Sequence, residues 1–227
     1  MSDKPQEIPT KEDLSAESQK VTALSTFVTE NFGNPAINPR NTATLSADNL
    51  LKASSNGEFS ELNKQMLSAL GQESSTVAKL YSDNHIMPDK EPSRNDIAAL
   101  DRLAKAMPDE LPAALKASEL LDRKSSEITY GRTGLSEAVN RQSILRSDLE
   151  RATRNEGGRF TKDEQESLNF ALSHYDEIEK QSYRNLPMPM IPAIIPNDLR
   201  LYKESELRKF QPVRSLANRI NDFICQE

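Results

Sequence analysis

One succession of residues occurs twice in the 227-residue chain, about a hundred positions apart, and it restricts the possible folds more than any other feature. Asp48-Asn49-Leu50 pairs with Ser147-Asp148-Leu149, and Gly57-Glu58-Phe59 with Gly158-Arg159-Phe160. Further on, Ala69-Leu70 pairs with Ala171-Leu172, Met87-Pro88 with Met188-Pro189, and Asn95-Asp96-Ile97 with Asn197-Asp198-Leu199. Short apolar matches between amphipathic helices are common. Here turn residues and helix faces recur in one order, which predicts a duplicated helical unit.

The period of the apolar residues fills in each copy. In the first, Leu45-Ser46-Ala47-Asp48 opens a short helix ending near Ala53, and Ser55-Asn56-Gly57 turns the chain to Phe59. A long helix is then predicted with Leu62, Met66, Leu67, Leu70, Val77, Leu80 and Tyr81 on one face. Gly71 weakens that helix by about 1 kcal/mol relative to alanine. Ser93-Arg94-Asn95-Asp96 starts a third helix with Ile97, Leu100, Leu103 and Met107. In the second copy, Ile144 to Leu149 opens the short helix and Asn155-Glu156-Gly157-Gly158 makes the turn. Leu168, Ala171, Leu172, Tyr175 and Ile178 mark the long helix, and Pro196-Asn197-Asp198-Leu199 starts the last one of the unit. Outside the copies, Val21, Leu24, Phe27, Val28 and Phe32 predict a helix stopped by Gly33-Asn34-Pro35. A linker helix begins near Pro112, a short one lies around Leu135 and Val139, and a final helix begins at Pro212, where proline suits a first turn. Val213, Leu216, Ile220 and Ile224 form its apolar stripe.

The fold class expected is all-α. The chain is expected to divide into a disordered tail over 1–17, an N-terminal helical unit over 18–107, a linker with a helix over 108–143 and a C-terminal helical unit over 144–227. Hydrophobic residues are 36% of the chain, aromatics 5%, and Trp is absent. So lean a composition suits thin helical layers. A net charge of −6 with both signs interspersed disfavours nucleic acid as a partner. No run approaches the roughly 18 apolar residues of a membrane span, and Met-Ser-Asp-Lys-Pro-Gln-Glu lacks the order of a secretory signal. A cytoplasmic location follows as the expectation. The lone cysteine, Cys225, reads as a small apolar residue of the last helix.

The short helix, Gly turn, Phe and long helix resemble the EF-hand helix-loop-helix. In that family a twelve-residue loop takes oxygen ligands from positions 1, 3, 5, 9 and 12, with glycine at position 6. Residues 153–164 fit this register: Gly158 falls at position 6, Thr161 at 9 and Glu164 at 12. The resemblance implies Thr153, Asn155, Gly157, Arg159, Thr161 and Glu164 as the residues toward a Ca²⁺ ion. Positions 1, 3 and 5 hold Thr153, Asn155 and Gly157, where the family has carboxylates, so weak or vestigial binding is expected. In the first copy Lys52 falls at position 1 and Asn63 at position 12, which predicts no calcium at all. A metal-free explanation competes: Thr161-Lys162-Asp163-Glu164 is also a capping box.

The chain offers little else for chemistry. His85 and His174 lack the partners of a metal or catalytic site, and no nucleophile elbow, Walker loop or zinc-protease helix occurs. Leu186 to Pro196 is dense in proline and apolar residues, and reads as a loop packed across helices or an exposed partner-binding strip. Arg200, Lys203, Arg208, Lys209, Arg214 and Arg219 read as a solvated helix face. The function expected is a non-enzymatic binding or regulatory module for a protein or peptide partner. A calcium sensor using 153–164 and a purely structural helical protein are the alternatives, the last if the chain's own helix at 212–225 fills the groove between paired units.

Overall fold

The computed structural model describes residues 9–81, 91–131, 142–181 and 192–224, and among them all regular structure is helical. The helices are α1 (Lys11–Glu30), α2 (Ala47–Ala53), α3 (Glu61–Gln72), α4 (Ser74–Val77), α5 (Arg94–Ile128), α6 (Arg146–Arg154), α7 (Lys162–Ser173), α8 (Tyr175–Glu179) and α9 (Pro196–Ile224). The order α2, α3, α4, start of α5 recurs as α6, α7, α8, start of α9. No helix among the described residues is long and apolar enough to cross a membrane.

Contacts divide the chain into two compact units. One, the amino-terminal unit, comprises Pro9–Asp109 with Lys209–Glu227, and the other, the central unit, comprises Glu110–Arg208. These limits differ from those expected. The unit boundaries fall inside α5 and α9, because neither helix stops where proline suggested a new start. Pro108 and Pro112 both lie within α5, and Pro212 within α9. Proline removes one backbone N–H and crowds the preceding turn, and here that loss falls beside the passages at Asp109/Glu110 and Arg208/Lys209. The last helix therefore begins at Pro196, not at Pro212.

The amino terminus departs from the expected tail over 1–17. Thr10 caps α1, its hydroxyl accepting from the Asp13 N–H at 3.2 Å, and the helix starts at Lys11. Leu14, Ser18, Val21, Leu24 and Val28 are its buried stripe. One apolar residue, Leu14, was too little periodicity to extend the helix back from Val21.

Each predicted long helix is broken at the same place. Glu73 (φ −100°, ψ 11°) separates α3 from α4, and His174 (φ −105°, ψ 16°) separates α7 from α8. At the second break the Ser173 hydroxyl donates to the Phe170 carbonyl at 2.7 Å, and the His174 ring stacks on Phe170 with centroids 4.0 Å apart. Gly71 lies before the first break and serves close packing: a Cβ there would meet the Leu51 side chain at 2.9 Å, so its absence lets α2 lie against α3.

Candidate functional site

The turn at 153–164 lies in the central unit and uses its polar groups internally. The Thr153 hydroxyl donates to the Glu150 carbonyl at 3.0 Å. Asn155 ends α6 in the left-handed region (φ 50°). Its side chain accepts from the Phe160 N–H at 2.9 Å and donates to the Phe160 carbonyl at 2.8 Å. Gly157 and Gly158 take φ of 100° and 64°, values open to glycine at no steric cost. The Arg159 guanidinium lies 4.1 Å from the centroid of the Tyr130 ring.

Thr161 and Glu164 form the reciprocal cap: Glu164 N–H donates to Thr161 Oγ1 at 3.3 Å, and Thr161 N–H to the Glu164 carboxylate at 3.0 Å. The Lys124 ammonium sits 3.1 Å from Glu164 and the Arg123 guanidinium 3.6 Å. The Thr161 N–H and then the Lys124 ammonium hold the Glu164 carboxyl below its ordinary value. The carboxylate at position 12 is therefore shared between its own helix cap and two cations of the protein. Among the described residues no three His, Cys, Asp or Glu side chains converge as a metal centre.

Glu164 is expected to act as a cap. Glu164→Ala should lose about 1 kcal/mol of unfolding free energy in EDTA. A group held below its ordinary value stabilises the fold above that value and loses the effect as pH falls through the lowered one. Urea unfolding of wild type and variant should therefore differ at neutral pH and converge on acidification.

A second set of connections meets through single antiparallel bridges. Thr44 pairs with Ser93, and Ile144 with Ile194. The second bridge is closed by Ile144 N–H to Ile194 O at 2.8 Å and Ile194 N–H to Ile144 O at 2.9 Å, and the Tyr175 hydroxyl donates to the Pro192 carbonyl at 3.1 Å beside it. Just beyond, at three of the four helix starts, one acid reaches back to the backbone, while α2 is capped by the Ser46 hydroxyl. Asp96 accepts from Ser93 N–H at 2.9 Å, Asp148 from Leu145 N–H at 2.8 Å and Asp198 from Ile195 N–H at 2.8 Å. Leu145 has no side-chain acceptor, so only the acid half of a capping box exists there. Ser93-Arg94-Asn95-Asp96 reads in the sequence as a weaker cap of the Thr161 to Glu164 type, and the structure forms it; the bridges and the caps at Asp148 and Asp198 are not predicted by the sequence pattern. The one signal for Asp198 is the recurrence of Asn95-Asp96 as Asn197-Asp198.

The third feature is the end of α9. Within the amino-terminal unit Phe210, Val213, Leu216, Ala217 and Ile220 are all buried to within 1%. Polar ties flank the stripe: Arg214 Nε lies 3.3 Å from Glu17, Arg219 Nε lies 3.2 Å from Glu73, and Lys20 Nζ donates to the Asn221 side chain. Arg214 is thus half-buried, whereas Arg219 stays on the solvated face expected for it, and Arg200 and Arg208 pair along the helix with Glu204. Nothing in the sequence marked Glu17 or Glu73 as their partners.

His174 is a half-buried residue at a helix break, with Nδ1 2.9 Å from the Phe170 carbonyl. His85, Val139 and Cys225 lie outside the described residues, as does most of the Leu186 to Pro196 strip. The end of that strip is packed, with Ala193 5% and Ile194 0% exposed. No protein-family model, curated protein or solved structure matches the chain.

Proposed function

We propose that the chain is a non-enzymatic, helix-binding regulatory module of duplicated EF-hand-like units, and that residues 209–224 occupy the seat a partner's helix would take. The buried stripe of Phe210, Val213, Leu216, Ala217 and Ile220 carries this reading. It has the spacing with which an amphipathic helix fills an apolar groove, and it comes from a segment distant in sequence from the rest of its unit. The ties around it are ionic and partly exposed, which suits an occupant that can be exchanged. The partner expected is an amphipathic helix with basic residues beside its apolar stripe, matching Glu17 and Glu73.

In this reading the Gly turns of the EF-hand-like units, within 52–63 and 153–164, are capped turns without an ion, and the single bridges of Thr44 with Ser93 and Ile144 with Ile194 hold the connections of each copy together. The acids at Asp96, Asp148 and Asp198 serve the backbone, so the module works without an ion.

A fluorescent peptide of residues 209–227 tests the exchange. In the full-length chain carrying Arg214→Glu and Arg219→Glu, acid faces acid at Glu17 and Glu73, and the resident segment is weakened. The added peptide, with its arginines intact, should bind this variant at least about tenfold tighter than wild type, a difference of roughly 1.4 kcal/mol. Equal, negligible binding to both, with helical content unchanged, would refute the exchangeable seat.

A further inference from the structure

A groove of about 670 Å³ lies in the amino-terminal unit, and none of the residues that line it belongs to 209–224. One wall is the end of α1, with Ser25, Thr26, Thr29 and Glu30. The other is the start of α5, with Asn95, Ala98, Asp101, Arg102 and Lys105, and Tyr81 also lines it. Both walls follow helical spacing, so each is one continuous face.

Two buried atoms of residues in the groove walls lack hydrogen-bond partners among the described residues. They are the hydroxyl of Ser25, a residue 2% exposed, and Oδ1 of Asp101. Such groups are costly and rare in native proteins. The other oxygen of Asp101 is met by the Lys105 ammonium at 2.6 Å. Lys105 is a weak lid: its side chain is 63% exposed, and an i,i+4 pair at the surface is held only loosely against water and salt. An ammonium is a point charge and satisfies one oxygen. A guanidinium offers a planar fork that satisfies both oxygens of a carboxylate at once.

We propose that this groove binds a guanidinium group, which displaces the Lys105 ammonium and takes both oxygens of Asp101. Asp χ2 turns easily, so the carboxylate can present its fork once Lys105 leaves. The Thr26 and Thr29 hydroxyls supply further acceptors, and the Tyr81 ring, 54% exposed, offers a face on which the planar cation can stack. Glu30 adds a second carboxylate, and Arg102 favours a ligand that also carries an anionic group. Free arginine and an arginine side chain of a peptide present the same group.

Titration of the full-length chain, read by amide NMR shifts of α1 and α5, tests the proposal and separates the two sources. The probes are L-arginine, agmatine, a capped Gly-Arg-Gly peptide, L-lysine and L-citrulline, the last being the uncharged isostere. Arginine or the capped peptide is expected to bind with a millimolar dissociation constant, about 4 kcal/mol. Tighter binding of the peptide would assign the site to a partner's arginine, and tighter binding of the free amino acid to a metabolite. Lysine and citrulline should bind at least tenfold more weakly. Asp101→Asn should abolish the shifts, and Lys105→Met, which removes the competing ammonium, should strengthen them severalfold. Equal binding of citrulline and arginine, indifference to Asp101→Asn, weaker binding in Lys105→Met, or no shifts with any probe would each overturn the assignment.

Discussion

Phe210→Ala is expected to lower the unfolding free energy by about 3–5 kcal/mol, the largest effect of any single truncation on the carboxy-terminal segment. The ring is fully buried within the amino-terminal unit. It lies two residues before Pro212, where the helix has already given up a backbone hydrogen bond. Anchoring there depends on side-chain packing more than on the helix ladder. In a domain of this size the loss corresponds to a fall in Tm of roughly 10 °C. Leu62→Ala is the control: Leu62 is 51% exposed, and its truncation should stay within about 0.5 kcal/mol. Phe210→Ala removes six side-chain carbons and Leu62→Ala three, so a contrast well beyond about twofold reports burial. Phe210→Ala should also raise the affinity for an added 209–227 peptide. An unchanged Tm would mean that the segment is not held by its apolar stripe, and the proposed seat would fall with it.

Much of the helical content was legible because apolar residues recur with the helical period. The stripe of Val213, Leu216 and Ile220 is an instance: each was named from spacing and each is buried. The all-α class follows from such patterns along the described residues. Helix ends were read less well, for identifiable reasons. Pro112 and Pro212 were read as starts because proline suits a first turn. The flanking residues pack well enough to carry α5 and α9 through the missing hydrogen bonds, so these prolines lie near the passages between units instead. The breaks at Glu73 and His174 carry no glycine or proline. They arise from local hydrogen bonds, such as Ser173 to Phe170, which no periodicity reports.

The candidate sites were harder to read because sequence spacing does not say what a carboxylate faces. Glu164 sits at the right interval for an ion ligand and equally for a cap, and only Lys124, forty positions earlier, separates the two roles. Ser93 to Asp96 reads as a cap from spacing alone, whereas Asp198 stands out only as a landmark of the repeat, and its hydrogen bond to the Ile195 N–H needs coordinates. The seat of residues 209–224 depends on pairs such as Arg219 with Glu73, which are far apart in the chain. Asp101 and Lys105 do show the spacing of a helical ion pair. The unpartnered second oxygen is visible only once the burial of that atom is known.

Asp96→Ala carries the other large expected effect, a loss of about 3 kcal/mol, because one buried carboxylate closes two strands of chain. Its Oδ1 accepts from the Tyr81 N–H at 3.0 Å, and its Oδ2 from both the N–H and the hydroxyl of Ser93. The residue is 5% exposed, so water cannot take over these donors without local opening. Each abandoned buried donor costs on the order of 1–3 kcal/mol. Asp96→Asn separates charge from geometry. The amide keeps one acceptor and turns an NH₂ toward donors on the other side, so it should recover about half of the loss. Ser93→Ala, which removes the hydroxyl that accepts from the Asp96 N–H at 3.2 Å, should cost about 1 kcal/mol as a cap deletion. Amide exchange provides the local readout: in Asp96→Ala, protection should fall at Tyr81 and Ser93 first, and at Leu45, whose N–H reaches the Pro92 carbonyl at 2.9 Å beside the bridge. If Leu45 instead kept its protection while Tyr81 and Ser93 lost theirs, the bridge would stand without its acid. The recurrence of Asp96 and Asp198 would then reflect helix capping alone, with no part in holding the paired connections together.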